Sequence, residues 1–350
     1  MVENSYYSQD IHGPYEFYDI GDLVLEEGGT IHGCKLAYST FGELNAAKDN
    51  AILITTWYSG TSKIMEQVYV GKGRAVDPDK YFIIIVNQIG DGLSSSPSNT
   101  PFPNGMANFR HVRIGDDVRA QYKLVTEKFG LKSLALVMGG SMGAQQTYEW
   151  AVRYPDFVKR AAPLAGTAKN TSHDFLFTET LMDAITSDPA WKNGWYSSGS
   201  EVQAGLRRHA KMWAVMGWST EFFKQEVYRT LGFASTDDFI TGFMEGYFGV
   251  MDPNNLLTMA WKWQRADVSR NTGGDLEAAL GRIKAKMFVC PISEDMFFPP
   301  RDCLAEQKMV SNSEFRVLNS IHGHLGLFGT DPDYAVQVDK HLGELLSLSV

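Results

Sequence analysis

A serine set among small neighbours, a carboxylate and a histidine, met in that order along one chain, can together cleave an acyl bond. Here they are Ser141, Asp295 and His324. Ser141 lies in Gly139-Gly140-Ser141-Met142-Gly143, a G-x-S-x-G pattern, with an apolar run at 134–138 before it and a helical pattern after it. In that strand–turn–helix context the serine is lifted above a sheet edge, and glycines let strand and helix pass close together. A serine hydroxyl needs a base to take its proton as it attacks. Imidazole suits that task near neutral pH, and a carboxylate holds its tautomer and stabilises the imidazolium.

Two of these assignments have competing neighbours. His322 stands two residues before His324. The Gly323-His324-Leu325 context favours His324 for reaching back over the sheet edge, and leaves His322 to pack the loop. Glu294 precedes Asp295, but the apolar Met296, Phe297 and Phe298 draw Asp295 inward and leave Glu294 solvated. The oxyanion that forms on the attacked carbonyl needs preorganised N–H donors. The backbone N–H of Met142, just after the serine, is one. The second is expected in the loop Thr56-Trp57-Tyr58-Ser59-Gly60, where Tyr58 is favoured and Trp57 comes next. The histidines outside the 321–326 loop have no ligand-like spacing, and there is no H-E-x-x-H pattern or Cys–His cluster. No catalytic metal and no cofactor are therefore expected.

The elements that must hold these groups follow from periodicity. Ala51–Thr55 and 81–86 are short, almost wholly apolar runs, as expected of strands buried on both faces. Similar runs recur at 134–138, 160–166, 286–291 and 315–318, with helical patterns at 116–129, 301–310 and 332–348 between and after them. Residues 22–27 and 31–41 form a hairpin in this reading. Strands alternating with helices predict an α/β fold with a mostly parallel sheet, whose ligands sit at the carboxyl ends of the strands. The rhythm breaks between 169 and 282, where no buried-strand run occurs and six of the eight tryptophans fall. This segment is expected to be a helical lid (169–282) inserted into a core made of 1–168 and 283–350.

With 350 residues, 44% hydrophobic and 21% charged, the chain has the composition of a soluble globular protein. Its net charge of -9 argues against nucleic acid or an anionic membrane as partner. Cys34, Cys290 and Cys303 suggest no disulfide framework. The polar start lacks a signal-peptide pattern, and no apolar run approaches the roughly 18 residues a spanning helix needs. A cytoplasmic protein is expected.

The motifs together resemble the homoserine O-acetyltransferase group within the α/β-hydrolase superfamily. The likeness rests on Tyr38-Ser39-Thr40-Phe41-Gly42-Glu43-Leu44, on Asp77-Pro78-Asp79-Lys80-Tyr81-Phe82, on the Ser-Met elbow followed by Glu149-Trp150-Ala151, and on Asp295 ahead of Phe298-Pro299-Pro300. It implies the α/β-hydrolase fold with an inserted lid, Ser141 as nucleophile, Asp295 and His324 as its partners, an oxyanion hole from Tyr58 and Met142, and a homodimer through the lid. Three departures stand out. The oxyanion loop is Thr56-Trp57-Tyr58-Ser59-Gly60 rather than His-Ala-Leu-Thr-Gly. Leu325, not aspartate, follows the histidine. Met182 falls where the group carries a lid arginine. A site that loses a charged clamp and gains aromatics suits homoserine poorly. The leading expectation is a serine hydrolase that cleaves a carboxylic ester, or an amide, with a small-molecule ester or acyl donor as partner. The alternative is an acyl-CoA-dependent O-acyltransferase acting on a small alcohol. A binding protein on a silenced hydrolase fold stands third.

Overall fold

Where every residue of a short run is apolar, a strand can be covered on both faces, and the sheet is built around such runs. The computed structural model describes residue 2 and residues 4–350. Its eight strands are β1 (Glu16–Val24), β2 (Thr30–Phe41), β3 (Ala51–Thr55), β4 (Phe82–Val86), β5 (Leu136–Gly140), β6 (Arg160–Leu164), β7 (Lys286–Val289) and β8 (Ser313–Phe315). They form one sheet in the order β1-β2-β4-β3-β5-β6-β7-β8. β1 and β2 are antiparallel to their neighbours, and every pairing from β4 to β8 is parallel.

Alternate residues of the central strands feed two cores. Ala51, Leu53, Ile84 and Val137 face one. Ile52, Ile54, Ile83, Ile85 and Met138 face the other. The sequence places the first strand at 22–27, but β1 begins at Glu16. It is an edge strand whose side chains are mostly exposed, and its register shifts around Gly21, so no apolar period announces it. The last strand also lies earlier than 315–318, as the three-residue β8, although a bridge between Ile292 and Leu318 extends the pairing.

Between β6 and β7 the assigned elements are helical, the longest being Ser172–Thr186, Gln203–Gly217 and Pro253–Gln264. Their starts follow simple capping chemistry. Thr171 accepts from the N–H groups of His173 and Asp174, and Asp252 from that of Asn255. All three cysteines are free and buried, in β2, just after β7 and in the helix Pro300–Gln307. Burial pushes Cys34 and Cys290 up to about 12. Among the described residues, no helix is long and apolar enough to cross a membrane.

Candidate active site

β5 runs directly into Ser141, whose φ of 56° and ψ of -121° lie in a region L residues rarely adopt. The helix Met142–Arg153 opens on the next residue. The glycines make this turn possible by their lack of side chains. A Cβ on Gly139 would lie 2.2 Å from Thr55 Oγ1, and one on Gly143 would lie 2.6 Å from the Thr55 carbonyl. The elbow is thus pressed against the end of β3. Thr55 Oγ1 donates to the Gly143 carbonyl at 2.8 Å, which ties the two together. The Ser141 N–H is used within the sheet, donating to Leu164 of β6 at 2.9 Å.

The structure brings Ser141, His324 and Asp295 together. His324 Nε2 is 2.9 Å from Ser141 Oγ, and His324 Nδ1 is 2.7 Å from Asp295 Oδ2. An ionised carboxylate only accepts, so Nδ1 carries the proton and Nε2 is left as acceptor for the serine hydroxyl. The second oxygen, Asp295 Oδ1, accepts from the backbone N–H groups of Phe297 at 2.8 Å and Phe298 at 3.0 Å. Both ends of the carboxylate are therefore fixed, and the imidazole inherits a fixed plane. All three side chains are buried.

Gly323, with φ of 67°, turns the chain between the two candidate histidines. His324 faces the serine. His322 instead pairs through Nδ1 with Thr330 Oγ1 at 2.8 Å and packs on Trp218 and Phe222, and burial holds its basicity below the ordinary value. Glu294 is exposed.

The loop holding Tyr58 follows β3, whose Thr55 is in register with Gly139 of β5. Among the described residues, neither the Tyr58 nor the Met142 backbone N–H has a hydrogen-bond partner. The Tyr58 side chain is buried and donates to the Leu256 carbonyl at 3.0 Å, with His209 Nε2 at 3.3 Å. Aromatic rings from the helical segment close over this region. Trp213 has its centroid 5.3 Å from Tyr58 and 6.5 Å from His324. Phe297 lies 5.0 Å from His324, and Trp263 lies 5.4 Å from Phe297. No group of three or more His, Cys, Asp or Glu side chains among the described residues is arranged to hold a metal ion.

Several buried polar residues behind the site escape a reading of sequence alone. Gln88 Nε2 donates to the carbonyls of Thr56 at 2.7 Å and Trp57 at 3.3 Å. Gln146, on the elbow helix, donates to the Thr56 carbonyl at 3.0 Å. Lys262, fully buried, pairs with Asp117 and donates to the Ile89 carbonyl. The one signal in the sequence is a lysine between two tryptophans, Trp261-Lys262-Trp263.

A family model described as the alpha/beta hydrolase fold matches residues 68–320. The chain belongs to the α/β-hydrolase family. Within it, this α/β hydrolase is 66% identical to the ethyl acetate hydrolase of Pseudomonas veronii, over 98% of this chain and 99% of the relative. The crystal structure of an acetylester hydrolase from Corynebacterium glutamicum superposes with a TM-score of 0.98 at 58% identity, covering 99% of this chain and all of the other. The homoserine O-acetyltransferase of Trichormus variabilis is more distant, 30% identical over 91% of each chain. The fold expected from the sequence, an α/β hydrolase with a mostly parallel sheet, is the fold found, and so is the kinship with the acetyltransferase group.

Proposed function

We propose that this α/β hydrolase cleaves carboxylic esters of short acids, acetyl esters above all, through an acyl-enzyme on Ser141. The observation that carries this reading is the single imidazole bridging a buried carboxylate at 2.7 Å and a strained, buried serine at 2.9 Å. Ser141 Oγ attacks the ester carbonyl while His324 Nε2 takes its proton. The negative oxygen is stabilised by the N–H groups of Met142 and Tyr58, both without a partner among the described residues. His324 then protonates the departing alcohol and activates water for deacylation.

The short acyl group is supported from two sides. Trp213, Phe297 and Phe298 line the imidazole, and Trp263 backs Phe297, so the walls beside it are bulky and aromatic. Relatives at 66% and 58% identity carry names that specify ethyl acetate and acetyl esters. The acyltransferase reading shares the first half-reaction, but its named relatives lie near 30% identity. In this proposal residues 169–282 form the lid over a core of 1–168 and 283–350. Exposed Leu176 and Val215 on its helices fit a homodimer through that lid. Three unpaired cysteines fit a cytoplasmic setting.

The test is a one-pot assay with ethyl acetate, p-nitrophenyl acetate, acetyl-CoA and homoserine. Ester hydrolysis without CoA release is expected, and the Ser141→Ala variant should fold and lose at least about 10⁴-fold in kcat. Homoserine-dependent CoA release would make the protein a transferase, and turnover retained by Ser141→Ala would remove the serine mechanism altogether.

A further inference from the structure

The Tyr58 N–H belongs to the same peptide unit as the Trp57 carbonyl. In a trans peptide these two groups point in opposite directions, so whatever pins the oxygen also aims the N–H. The Trp57 oxygen is held by Gly60 N at 3.2 Å and by Gln88 Nε2 at 3.3 Å. The preceding Thr56 oxygen takes Gln88 Nε2 at 2.7 Å and Gln146 Nε2 at 3.0 Å. Gln88 alone among these side chains touches both carbonyls of the loop.

An amide can present either end. Gln88 presents its NH₂ to the loop only if its oxygen is satisfied on the other side, and Lys262 Nζ is there, 3.4 Å from Gln88 Oε1. That ammonium is itself anchored by the Asp117 carboxylate and by the Ile89 carbonyl at 2.6 Å, while Asp117 Oδ1 accepts from the Ile89 N–H at 2.8 Å. Flipping the amide would turn NH₂ toward an ammonium and an oxygen toward two carbonyls. Gln88, Lys262 and Asp117 are all buried, so water cannot compensate either mismatch.

We propose that Gln88 is a positioning residue for ester hydrolysis: locked in one orientation by Lys262 of the helix Pro253–Gln264, it aims the Tyr58 N–H at the charged oxygen. This rests on the reading of Tyr58 as an oxyanion donor to an acyl-enzyme on Ser141. Its consequence is that a helix inserted between β6 and β7 sets the electrostatics of a loop that follows β3. A residue of this kind acts on the transition state more than on the bound ester.

The experiment measures kcat and KM for p-nitrophenyl acetate, inhibition by 1,1,1-trifluoroacetone and the thermal unfolding midpoint. Trifluoroacetone is attacked by Ser141 Oγ to give a hemiketal whose oxygen carries the charge, with no leaving group, so its affinity reports the oxyanion site. Gln88→Met is expected to lower kcat/KM by about 10- to 100-fold, mainly through kcat, and to weaken trifluoroacetone inhibition by a similar factor. Gln146→Met, which loses the Thr56 contact and the bond from Gln121 Nε2 but nothing at the Trp57 carbonyl, should lose clearly less of both. Folded Gln88→Met with kcat/KM within about threefold of wild type would overturn the proposal. So would a fall in kcat/KM that leaves trifluoroacetone inhibition unchanged, or equal losses in the two glutamine variants. If Gln88→Met does not fold, Gln88→Glu carries the same readouts. It keeps the length and the reach to Lys262 but sets a carboxylate oxygen against the loop carbonyls, and it should lose at least as much. Ser141→Ala separates the two levels. If it retains turnover, the serine mechanism fails; if it is inactive while Gln88→Met is fully active, only the positioning role fails.

Discussion

Asp295 uses its two oxygens for different ends, one to hold the histidine and one to hold itself against the backbone of Phe297 and Phe298. Replacing it with asparagine keeps the shape but offers the imidazole a choice of tautomer, and the wrong one cannot accept the serine proton. Asp295→Asn is expected to fold normally and to lose about 10⁴-fold in kcat for p-nitrophenyl acetate. The paired histidines give the complementary prediction. His324→Ala should match the Ser141 variant in activity. His322→Gln should stay within about threefold of wild type in kcat while losing about 1 kcal/mol of stability, the worth of its bond to Thr330. A denaturant titration beside the assay checks both. At this scale Ser141, the proposed nucleophile, was legible because a rare local pattern carries it. The histidine was a choice between two, since sequence shows Gly323 but not the direction in which its positive φ turns the chain.

The elements differ in how openly the sequence declares them. β3 and β4 are buried on both faces and read as unbroken apolar runs, whereas β1, an edge strand, carries no such signature. The helix Ser62–Tyr69, just beyond the Tyr58 loop, was not anticipated either. In the helical segment, six tryptophans suggest an apolar interior but cannot show which of them meets His324, or that Trp195 stays exposed, because that depends on how helices cross. The helix Gln203–Gly217 brings both Trp213 and His209 onto the Tyr58 ring. Burial pushes His209 down to about 4 from an ordinary 6.5. A histidine kept neutral by the fold is protonated more readily in the unfolded chain. Its contribution to stability is therefore complete above pH 6.5 and declines as the pH falls toward 4. By pH 5 this one residue should remove about 2 kcal/mol, and His209→Gln should flatten that part of the profile. Urea unfolding of the two proteins at pH 7 and pH 5 measures the difference. An equal acid loss in both would place the sensitivity elsewhere.

Across the whole molecule, the site is assembled from stretches far apart in the chain: the loop after β3, the elbow after β5, the loops that follow β7 and β8, and the helices between β6 and β7. The parallel sheet brings the first four to one edge, an outcome that the alternation of strands and helices already implied. What the alternation could not convey is how closely the helices crowd the imidazole, since that is a matter of packing between non-neighbouring segments. If this enclosure sets the acyl length, removing its largest nearby wall should relax it. Trp213→Ala is expected to raise the ratio of kcat/KM for p-nitrophenyl butyrate over acetate by about tenfold, as expected when a methylene or two gain an apolar berth. An unchanged ratio would mean that another surface limits the acid.

The interior thiols have a practical consequence. Cys34 lies in β2, Cys290 just after β7 and Cys303 in the helix Pro300–Gln307, and none is carried by the helices between β6 and β7. A chromogenic disulfide reagent added to the native protein finds no exposed thiol until the sheet or the helix Pro300–Gln307 opens. Its labelling rate is a clock for the opening of these elements that runs without denaturant. A variant that has only lost its chemistry would stay colourless, while one that has lost its fold would announce itself within minutes of mixing.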